Sequence, residues 1–394
     1  MFLNEKTVEF PTEICYNVNM KRIAIFGGTF NPVHREHVSL CKKAIEELNL
    51  DKLIVMPTFM PPHKHIVPAP PADRLNMLKI AFSGAENIEI SDYEIKNGGK
   101  SYTYLTVEKF REIYPDDELY FLVGGDMLTD FKTWRYPERI LKAVKLAVFF
   151  REDFFADFDG EHKYFKERFG ADFITFKYRG NNVSSTEIRI KCALGLDSRN
   201  LLSDGVYDYI MENGVYKGDK YTDFIKKVLP EKRLVHTAGV YVAAMKKAKE
   251  LSLPEDQIAA ATLLHDCAKY MNPSDFPEFS LPDNVPPPVV HQYLGAYVAE
   301  TVLGVNDAEV LDAIRYHTSG KAGMTTLGKL VFVADMIENG RTYDGVEKLR
   351  SLYDGDLETC FKECLKEETL HLMNKGQYIY EKTLEAYDYY IKRK

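Results

Sequence analysis

The sequence predicts two domains, an α/β domain built on a doubly wound parallel sheet and then an all-α domain. Three observations predict this. From Arg22 to about Phe176, short apolar runs alternate with stretches of helical period. From Tyr221 onward nearly every segment has helical periodicity, with no convincing strand. Between the two, Gly218-Asp219-Lys220 reads as a short linker. At 394 residues the chain is long enough for both cores. Met20-Lys21-Arg22 looks like a natural start, so residues 1–20 are expected to be an extension or the product of a misplaced start codon. The expected domains are 21–216 and 221–394, joined by 217–220.

Taken in order, residues 23–26 form a buried strand closed by Gly27-Gly28. The period of Val38, Leu40, Cys41, Ala44, Ile45 and Leu48 carries a helix to about Asn49, and Pro32 marks its start because proline suits a first helical turn. Strands follow at 53–56, 88–90, 119–123, 146–150 and 173–176, with helices at 73–82, 103–114, 137–142 and 164–169. In such a sheet, ligands sit at the carboxyl ends of the strands. Loops leave those ends at 57–71, 97–101, 124–130 and 179–185, which is where the site is sought.

Hydrophobic content of 45% and charged content of 28% describe an ordinary globular protein. A net charge of −8 argues against broad nucleic-acid binding and leaves room for a local basic phosphate site. The six cysteines are scattered without a C-x-x-C pair, and Cys360 and Cys364, one helical turn apart, fit packing better than redox chemistry. A reduced cytoplasm is expected. No apolar run approaches 18 residues, and no signal segment opens the chain, so neither membrane nor export is indicated.

The first candidate site is Gly27-Gly28-Thr29-Phe30-Asn31-Pro32-Val33-His34-Arg35-Glu36-His37. Glycines let backbone approach a ligand closely, and a helix start favours anions. His34 and His37, three apart, fall on one face at the end where a phosphate would sit. The plain alternative is a tight turn with two surface histidines. Further along, Pro61-Pro62-His63-Lys64 offers a stiff loop with a lysine able to reach phosphate, or simply a solvated proline loop. Ser101 or Thr103 is expected to cap the helix beyond Tyr102. Gly124-Gly125-Asp126 ends a strand, where the aspartate could accept ribose hydroxyl or adenine hydrogen bonds. Trp134, the only tryptophan, could stack on a pyridine or belong to the core. Ser184-Ser185-Thr186-Glu187-Ile188-Arg189 opens a helix as a second phosphate cradle, with Arg189 on its first turn.

A strand, two glycines, Thr-Phe-Asn-Pro and His-x-x-His in this order resemble the nucleotidyltransferase superfamily, with its Rossmann-like sheet, rather than a G-x-G-x-x-G fingerprint or a P-loop. The loops together resemble one family, the bacterial nicotinate-nucleotide adenylyltransferases, over about Lys21 to Tyr216. The resemblance implies that Gly27, Gly28, Thr29, Phe30, His34 and His37 form the ATP-phosphate site, closed by Ser185, Thr186 and Arg189. It puts Gly124 and Asp126 on the adenosine, and Lys64, Tyr102, Thr103 and Trp134 at the nicotinate nucleotide. His34, His37 and Arg189 would neutralise charge in adenylyl transfer, beside Mg²⁺ that arrives with ATP. The family often has a proline where Ser203 stands, so a looser turn is expected there.

In the second half, proline breaks the loop 273–288, and a long helix after Asp356 carries no motif. The anomalies are His236, His265-Asp266, His291, His317 and Asp335, each read as embedded in an apolar helical stretch. Buried unpaired, they would cost several kcal/mol apiece, so a shared metal is the economical answer. Their spacing resembles the HD phosphohydrolase superfamily. Arg233-x-x-His236, His265-Asp266-x-x-Lys269, His291, Tyr316-His317 and Ala334-Asp335 resemble its bacterial symmetrical diadenosine tetraphosphate hydrolase branch. That resemblance implies His236, His265, Asp266 and Asp335 as metal ligands, with His291 and His317 on a second metal or on phosphates. Asp266 would bridge two ions, while Arg233, Lys269 and Arg341 would meet phosphates. The donor set suits one or two first-row ions, with iron or manganese foremost. The implied partners are small nucleotides: ATP, nicotinate mononucleotide and dinucleoside polyphosphates. The competing interpretation is an adenylyltransferase for another acceptor, such as nicotinamide mononucleotide, with the HD half as a nucleotide sensor.

Overall fold

The computed structural model describes residues 20–60, 68–150, 158–181 and 183–392. The chain divides into two compact units that are not contiguous in sequence. Of the described residues, the sheet unit contains those up to Gly28, within 39–62 and within 84–180; the helical unit contains 29–38, those within 63–83, and those from Asn181 on.

The sheet unit is organised by six parallel strands, β1 (Arg22–Gly28), β2 (Lys52–Pro57), β3 (Ile88–Ile90), β4 (Glu118–Gly124), β5 (Lys145–Phe150) and β6 (Phe173–Lys177), in the order β3-β2-β1-β4-β5-β6. The central strands are continuous apolar runs because both faces of a parallel sheet are covered. Ile23, Ile25, Ile54, Phe121, Val123 and Val148 share a core with Phe131 and Phe165 from the connecting helices. The order reverses at β1 and β4, which lie side by side with Ile25 opposite Phe121. The carboxyl ends of β1 and β4 therefore flank the switch point, where ligands bind in open α/β sheets.

Helices α1 (Arg35–Leu48), α2 (Pro71–Ala81), α3 (Tyr93–Asn97), α4 (Thr103–Ile113), α5 (Gly125–Asp130), α6 (Pro137–Ala143) and α7 (Phe158–Phe169) connect the strands. The predicted strands all occur. The first helix begins at Arg35, not near Pro32, since residues 31–34 are held as a turn by long-range hydrogen bonds. The expected loop at 124–130 is largely α5, which starts directly at Gly125, and α3 was not anticipated. Neither Ser101 nor Thr103 caps α4. Tyr102 occupies that position, and the Ser101 hydroxyl instead accepts the N–H of Phe59 at 2.9 Å.

In the helical unit, α8 (Ser185–Leu194) starts at Ser184, whose hydroxyl accepts the Glu187 N–H, and stops at Gly195 in the left-handed region. Then come α9 (Val206–Asn213), α10 (Lys220–Val228), α11 (Glu231–Lys247), α12 (Glu255–Leu264), α13 (Val290–Thr301), α14 (Ala308–Tyr316), α15 (Thr326–Ile337), α16 (Val346–Gly355), α17 (Leu357–Asn374) and α18 (Glu381–Tyr387). Asp219 and Thr222 form a reciprocal capping box on α10. No strand occurs among the described residues after Lys177. One core joins Ile190 and Leu194 of α8 to Ile225, Leu234, Val240, Leu264, Leu330 and Phe361 of the later helices. Cys360 and Cys364 are buried in it as free thiols. Among the described residues, no helix is long and apolar enough to cross a membrane.

Because Leu194 is almost fully buried in this core, Leu194→Ala is expected to destabilise the helical unit by about 2–5 kcal/mol. Urea unfolding followed by circular dichroism measures it. A change below about 0.5 kcal/mol, typical of surface positions, would place α8 outside that core.

Candidate active sites

The first site begins as a turn. Thr29 to His34 leave β1 with Phe30 in the left-handed backbone region at φ 47°, unusual for a bulky residue. Such a conformation persists only where its surroundings over-determine it. Here, the fully buried Arg74 donates to the Thr29 carbonyl (2.8 Å) and to that of Ala69 (2.9 Å). The Asn31 side-chain oxygen accepts the Ala69 N–H (3.0 Å) and the Tyr216 hydroxyl (2.9 Å). Its backbone carbonyl accepts Arg189 Nη1 at 2.8 Å.

His34 lies just before α1, and its carbonyl accepts the N–H groups of His37 (3.0 Å) and Val38 (3.3 Å). His37 answers reciprocally, its Nδ1 accepting the His34 N–H at 3.2 Å. The two therefore meet across a helix start rather than along a helix face, with rings stacked at 3.7 Å between centroids. The edge of Phe30 packs on His37 at 5.1 Å. With Nδ1 an acceptor, a neutral His37 carries its proton on Nε2, a donor suited to phosphate oxygen.

The start of α8 joins the same turn. The Ser185 hydroxyl donates to the Pro32 carbonyl at 3.0 Å, and Arg189 Nη2 donates to Thr186 Oγ1 at 3.1 Å. Arg189 is the fifth residue of α8, one turn later than expected. His34, His37, Ser185, Thr186 and Arg189 are thus gathered in the helical unit as one basic, hydroxyl-bearing turn. Arg74 and Tyr216 were given no role from sequence, and Asn31 only a place in the motif, though each braces the turn.

Within the sheet unit, Gly27 and Gly28 end β1, and Gly124 ends the adjacent β4. Asp126 lies in the first turn of α5, and its side chain lies outside the described residues, as does all of Lys64. Tyr102 and Thr103 open α4, where the Arg135 guanidinium sits 4.8 Å from the Tyr102 ring. Trp134 is half-buried and rests on Phe131 (5.2 Å) and Phe121 (6.3 Å) at the core's edge.

The second site is centred on Asp266. His265 and Asp266 stand just past α12 and His317 just past α14, not inside helices as expected; His236 is on α11, His291 on α13 and Asp335 on α15. A helix end frees side chains to converge where a continuous helix would spread them. Asp266 Oδ2 lies 3.5 Å from His265 Nε2, 3.9 Å from His236 Nε2 and 2.8 Å from Arg233 Nη1. Its Oδ1 faces His291 Nε2 at 3.1 Å, His317 Nε2 at 3.5 Å and Lys269 Nζ at 3.6 Å. Asp335 Oδ1 lies 3.1 Å from His236 Nε2 and pairs with Arg341 Nη2 at 2.5 Å. Arg233, Lys269 and Arg341 therefore all turn toward carboxylates of the cluster.

The donor set fits metal ions. Two overlapping groups, His236–His265–Asp335 and His265–Asp266–His317, bring their ligand atoms within 4.8 Å of one another. His265 and His317 keep Nδ1 against the backbone carbonyls of Thr262 (2.6 Å) and Ile314 (2.8 Å), which leaves Nε2 as the ligating atom. Burial pushes both His265 and His291 down to about 4, so both rings are neutral at pH 7. Burial opposes ionisation of Asp266, yet the surrounding imidazoles hold it well below the usual carboxylate range. Its Oδ1 is buried and accepts no well-formed hydrogen bond. Neutral imidazoles and ionised carboxylates are the states in which these groups ligate. Sequence reasoning missed Glu338, 3.2 Å from His236 Nδ1, and Thr318, whose Oγ1 lies 3.0 Å from His317 Nε2. The signal for Glu338 was its place three residues after Asp335. Beside Lys269 and His291 opens a cavity of about 300 Å³ walled by Met271, Pro287, Pro288, Val290 and Leu294.

Comparison with known proteins matches residues 25–191 to the cytidylyltransferase-like family and residues 233–340 to the HD domain. A Clostridium tetani protein named "Probable nicotinate-nucleotide adenylyltransferase" is 42% identical over 200 residues, covering 50% of this chain and all of that protein. A Mycoplasma genitalium protein named "Probable nicotinate-nucleotide adenylyltransferase/Ap4A hydrolase" is 27% identical over 334 residues, covering 82% of this chain and 88% of that one. A solved Clostridium acetobutylicum structure, titled a predicted HD superfamily hydrolase involved in NAD metabolism, is 32% identical with a TM-score of 0.41; the match covers 45% of this chain and 97% of that one. With a cytidylyltransferase-like match, an HD match and a Clostridium tetani likeness that spans the whole of that protein, the chain belongs to the nicotinate-nucleotide adenylyltransferase family through its first half and carries an HD domain in its second.

Proposed function

We propose that this chain is a bifunctional enzyme. Residues 21–216 would transfer the adenylyl group of ATP to nicotinate mononucleotide, giving deamido-NAD and pyrophosphate. Residues 221–394 would hydrolyse diadenosine tetraphosphate symmetrically to two ADP. The observation that carries this is the coexistence, in one chain, of a stacked His34–His37 pair at a strand-to-helix turn and a buried ligand cluster on Asp266. The Clostridium tetani and Mycoplasma genitalium names support the two activities in turn.

Adenylyl transfer needs no protein nucleophile. A phosphate oxygen of nicotinate mononucleotide forms the new bond to the α-phosphorus, and the bond to the bridging oxygen of pyrophosphate breaks. Alignment and charge neutralisation are the protein's share. His34 and His37 would donate to phosphate oxygens, Ser185, Thr186 and Arg189 would close over the triphosphate, and Mg²⁺ would enter with ATP. Gly27, Gly28, Thr29 and Phe30 would let backbone meet the phosphates, with Gly124 and Asp126 at the adenosine. Lys64, Tyr102, Thr103 and Trp134 would meet the acceptor.

In the HD domain, His236, His265, Asp266 and Asp335 would hold one or two transition-metal ions, with His291 and His317 on the second ion or on phosphates. Bound ions of this kind supply Lewis-acid charge and make water a better nucleophile. Asp266 would orient both imidazole sets, and Arg233, Lys269 and Arg341 would balance phosphate charge. The apolar walls beside Lys269 and His291 suit the base of one nucleoside. Water adds to one inner phosphorus, and the bond between the two inner phosphates breaks, leaving ADP on each side.

Mass-spectrometric product analysis tests both halves. Deamido-NAD should form at least about tenfold more efficiently than NAD from the amide acceptor, as a lost charge-assisted hydrogen bond implies. Diadenosine tetraphosphate should give ADP alone; ATP and AMP as products would contradict symmetrical cleavage. His34→Ala and His37→Ala are each expected to lower adenylyl transfer about 100-fold or more, by analogy with other transition-state donors, while hydrolysis persists. Transfer within threefold of wild type in both variants would sink the assignment. Asp266→Ala should strip metal and stop hydrolysis with transfer nearly unchanged, as elemental analysis and both assays on one preparation would show; retained metal with normal hydrolysis would mean that the cluster is misassigned.

A further inference from the structure

We infer that Glu338 is a positioning residue of the candidate metal centre, holding the Nδ1 side of His236 so that Nε2 faces the ligand cluster. This rests on the metal-centre interpretation above. Glu338 follows the end of α15, three residues after Asp335, and is only 5% exposed. Its Oε1 lies 3.2 Å from His236 Nδ1, while His236 Nε2 lies 3.1 Å from Asp335 and 3.4 Å from His265 Nε2. One ring nitrogen thus meets a carboxylate outside the cluster, and the other meets the cluster.

Three features build this carboxylate in. Its Oε2 accepts the Gly340 N–H at 2.6 Å. The turn that carries it is clamped by Arg350, which donates to the carbonyls of Ile337 (2.9 Å), Glu338 (2.7 Å) and Arg341 (2.8 Å). And α11 makes room for it with a glycine. At Gly239, one turn after His236, an added Cβ would lie 2.4 Å from Glu338 Oε2 and 3.2 Å from its Cβ. Glycine inside a helix is less favourable than alanine, so its presence there answers a steric need. The cationic alternative partner is weaker. Arg341 Nε is 3.9 Å from Oε1, and that guanidinium is committed to Asp335. A carboxylate on the far nitrogen of a metal-ligating histidine fixes its tautomer and ring orientation, and loss of such a partner typically costs 10- to 100-fold in metal affinity.

The test measures cobalt(II) affinity by chelator competition, with the visible cobalt absorption, on the full chain. Glu338→Ala and Gly239→Ala should each weaken binding about 10- to 100-fold and shift the cobalt bands. Gly239→Ala does so without altering charge, by displacing the Glu338 carboxylate. Glu338→Gln, which keeps one acceptor for the Nδ1 proton but turns its NH2 toward the Gly340 N–H, should recover part of the loss, binding cobalt at least about threefold more tightly than Glu338→Ala with the wild-type band positions restored. Wild-type affinity and spectrum in Gly239→Ala and Glu338→Ala would overturn the inference and leave the metal centre standing. No cobalt binding by the wild-type chain would overturn the metal centre itself. Should Glu338→Ala fail to fold, the contrast between Gly239→Ala and Glu338→Gln decides.

Discussion

The helical unit depends on one constraint, the burial of the Asp266 carboxylate at 2% exposure. An isolated carboxylate at such a place would protonate or unfold its surroundings. Compensation from neutral imidazoles is partial, since burial has already removed their protons. Arg233 at 2.8 Å and Lys269 at 3.6 Å supply full charges, and the two oxygens otherwise face separate imidazole sets. Helices α11 to α14 converge because each delivers, on it or just past its end, a group this carboxylate requires, while α15 brings Asp335 to the other side of His236; the apolar core of Leu264, Ile314, Leu330 and Val331 packs around the result. A metal ion would satisfy the same constraint with fewer compromises, and the donor set fits one.

The histidine turn meets a related constraint with uncharged acceptors, braced by two arginines, an amide and a hydroxyl. Asn31 is buried, and its side-chain and backbone oxygens take three donors from residues 69, 189 and 216. Arg74 fixes Thr29 on the other side of the strained Phe30. Rigid donors would suit the proposed adenylyl transfer, because charge develops on phosphate oxygens and the protein must not reorganise to meet it. The helix start adds its own N–H groups to the same place.

The strands were legible in the sequence to within a residue or two, because a doubly covered parallel strand is a run of apolar residues and little else. The residues of the Asp266 cluster were legible for the opposite reason: histidine and aspartate stand out against apolar helices. What failed was local geometry set from afar. Pro32 looked like a helix start, yet Arg189 and Tyr216, more than 150 residues on, hold residues 31–34 as a turn. His265, Asp266 and His317 read as helical because the apolar period runs up to them, but each follows a helix end. Gly124-Gly125 read as loop, although glycine at Gly125 opens α5. Glu338 offered only its place three residues after Asp335, which gains meaning once its partner, 102 positions away, is known.

The histidine turn and the Asp266 cluster are rooted in one core. Ser185, Thr186 and Arg189 stand on α8, and the buried face of α8 packs Ile190 and Leu194 among residues of α10, α11 and α12. Helix α11 in turn carries His236 and Gly239. A core substitution in this region would therefore reach both the histidine turn and the helix that carries His236. Packed interiors transmit such shifts because they have few voids to absorb them. Side chains that face one site, such as His37 on one side and Asp266 on the other, would separate the proposed activities. It follows that the helical second half is part of the structural support of the histidine turn, even if the two reactions share no atom.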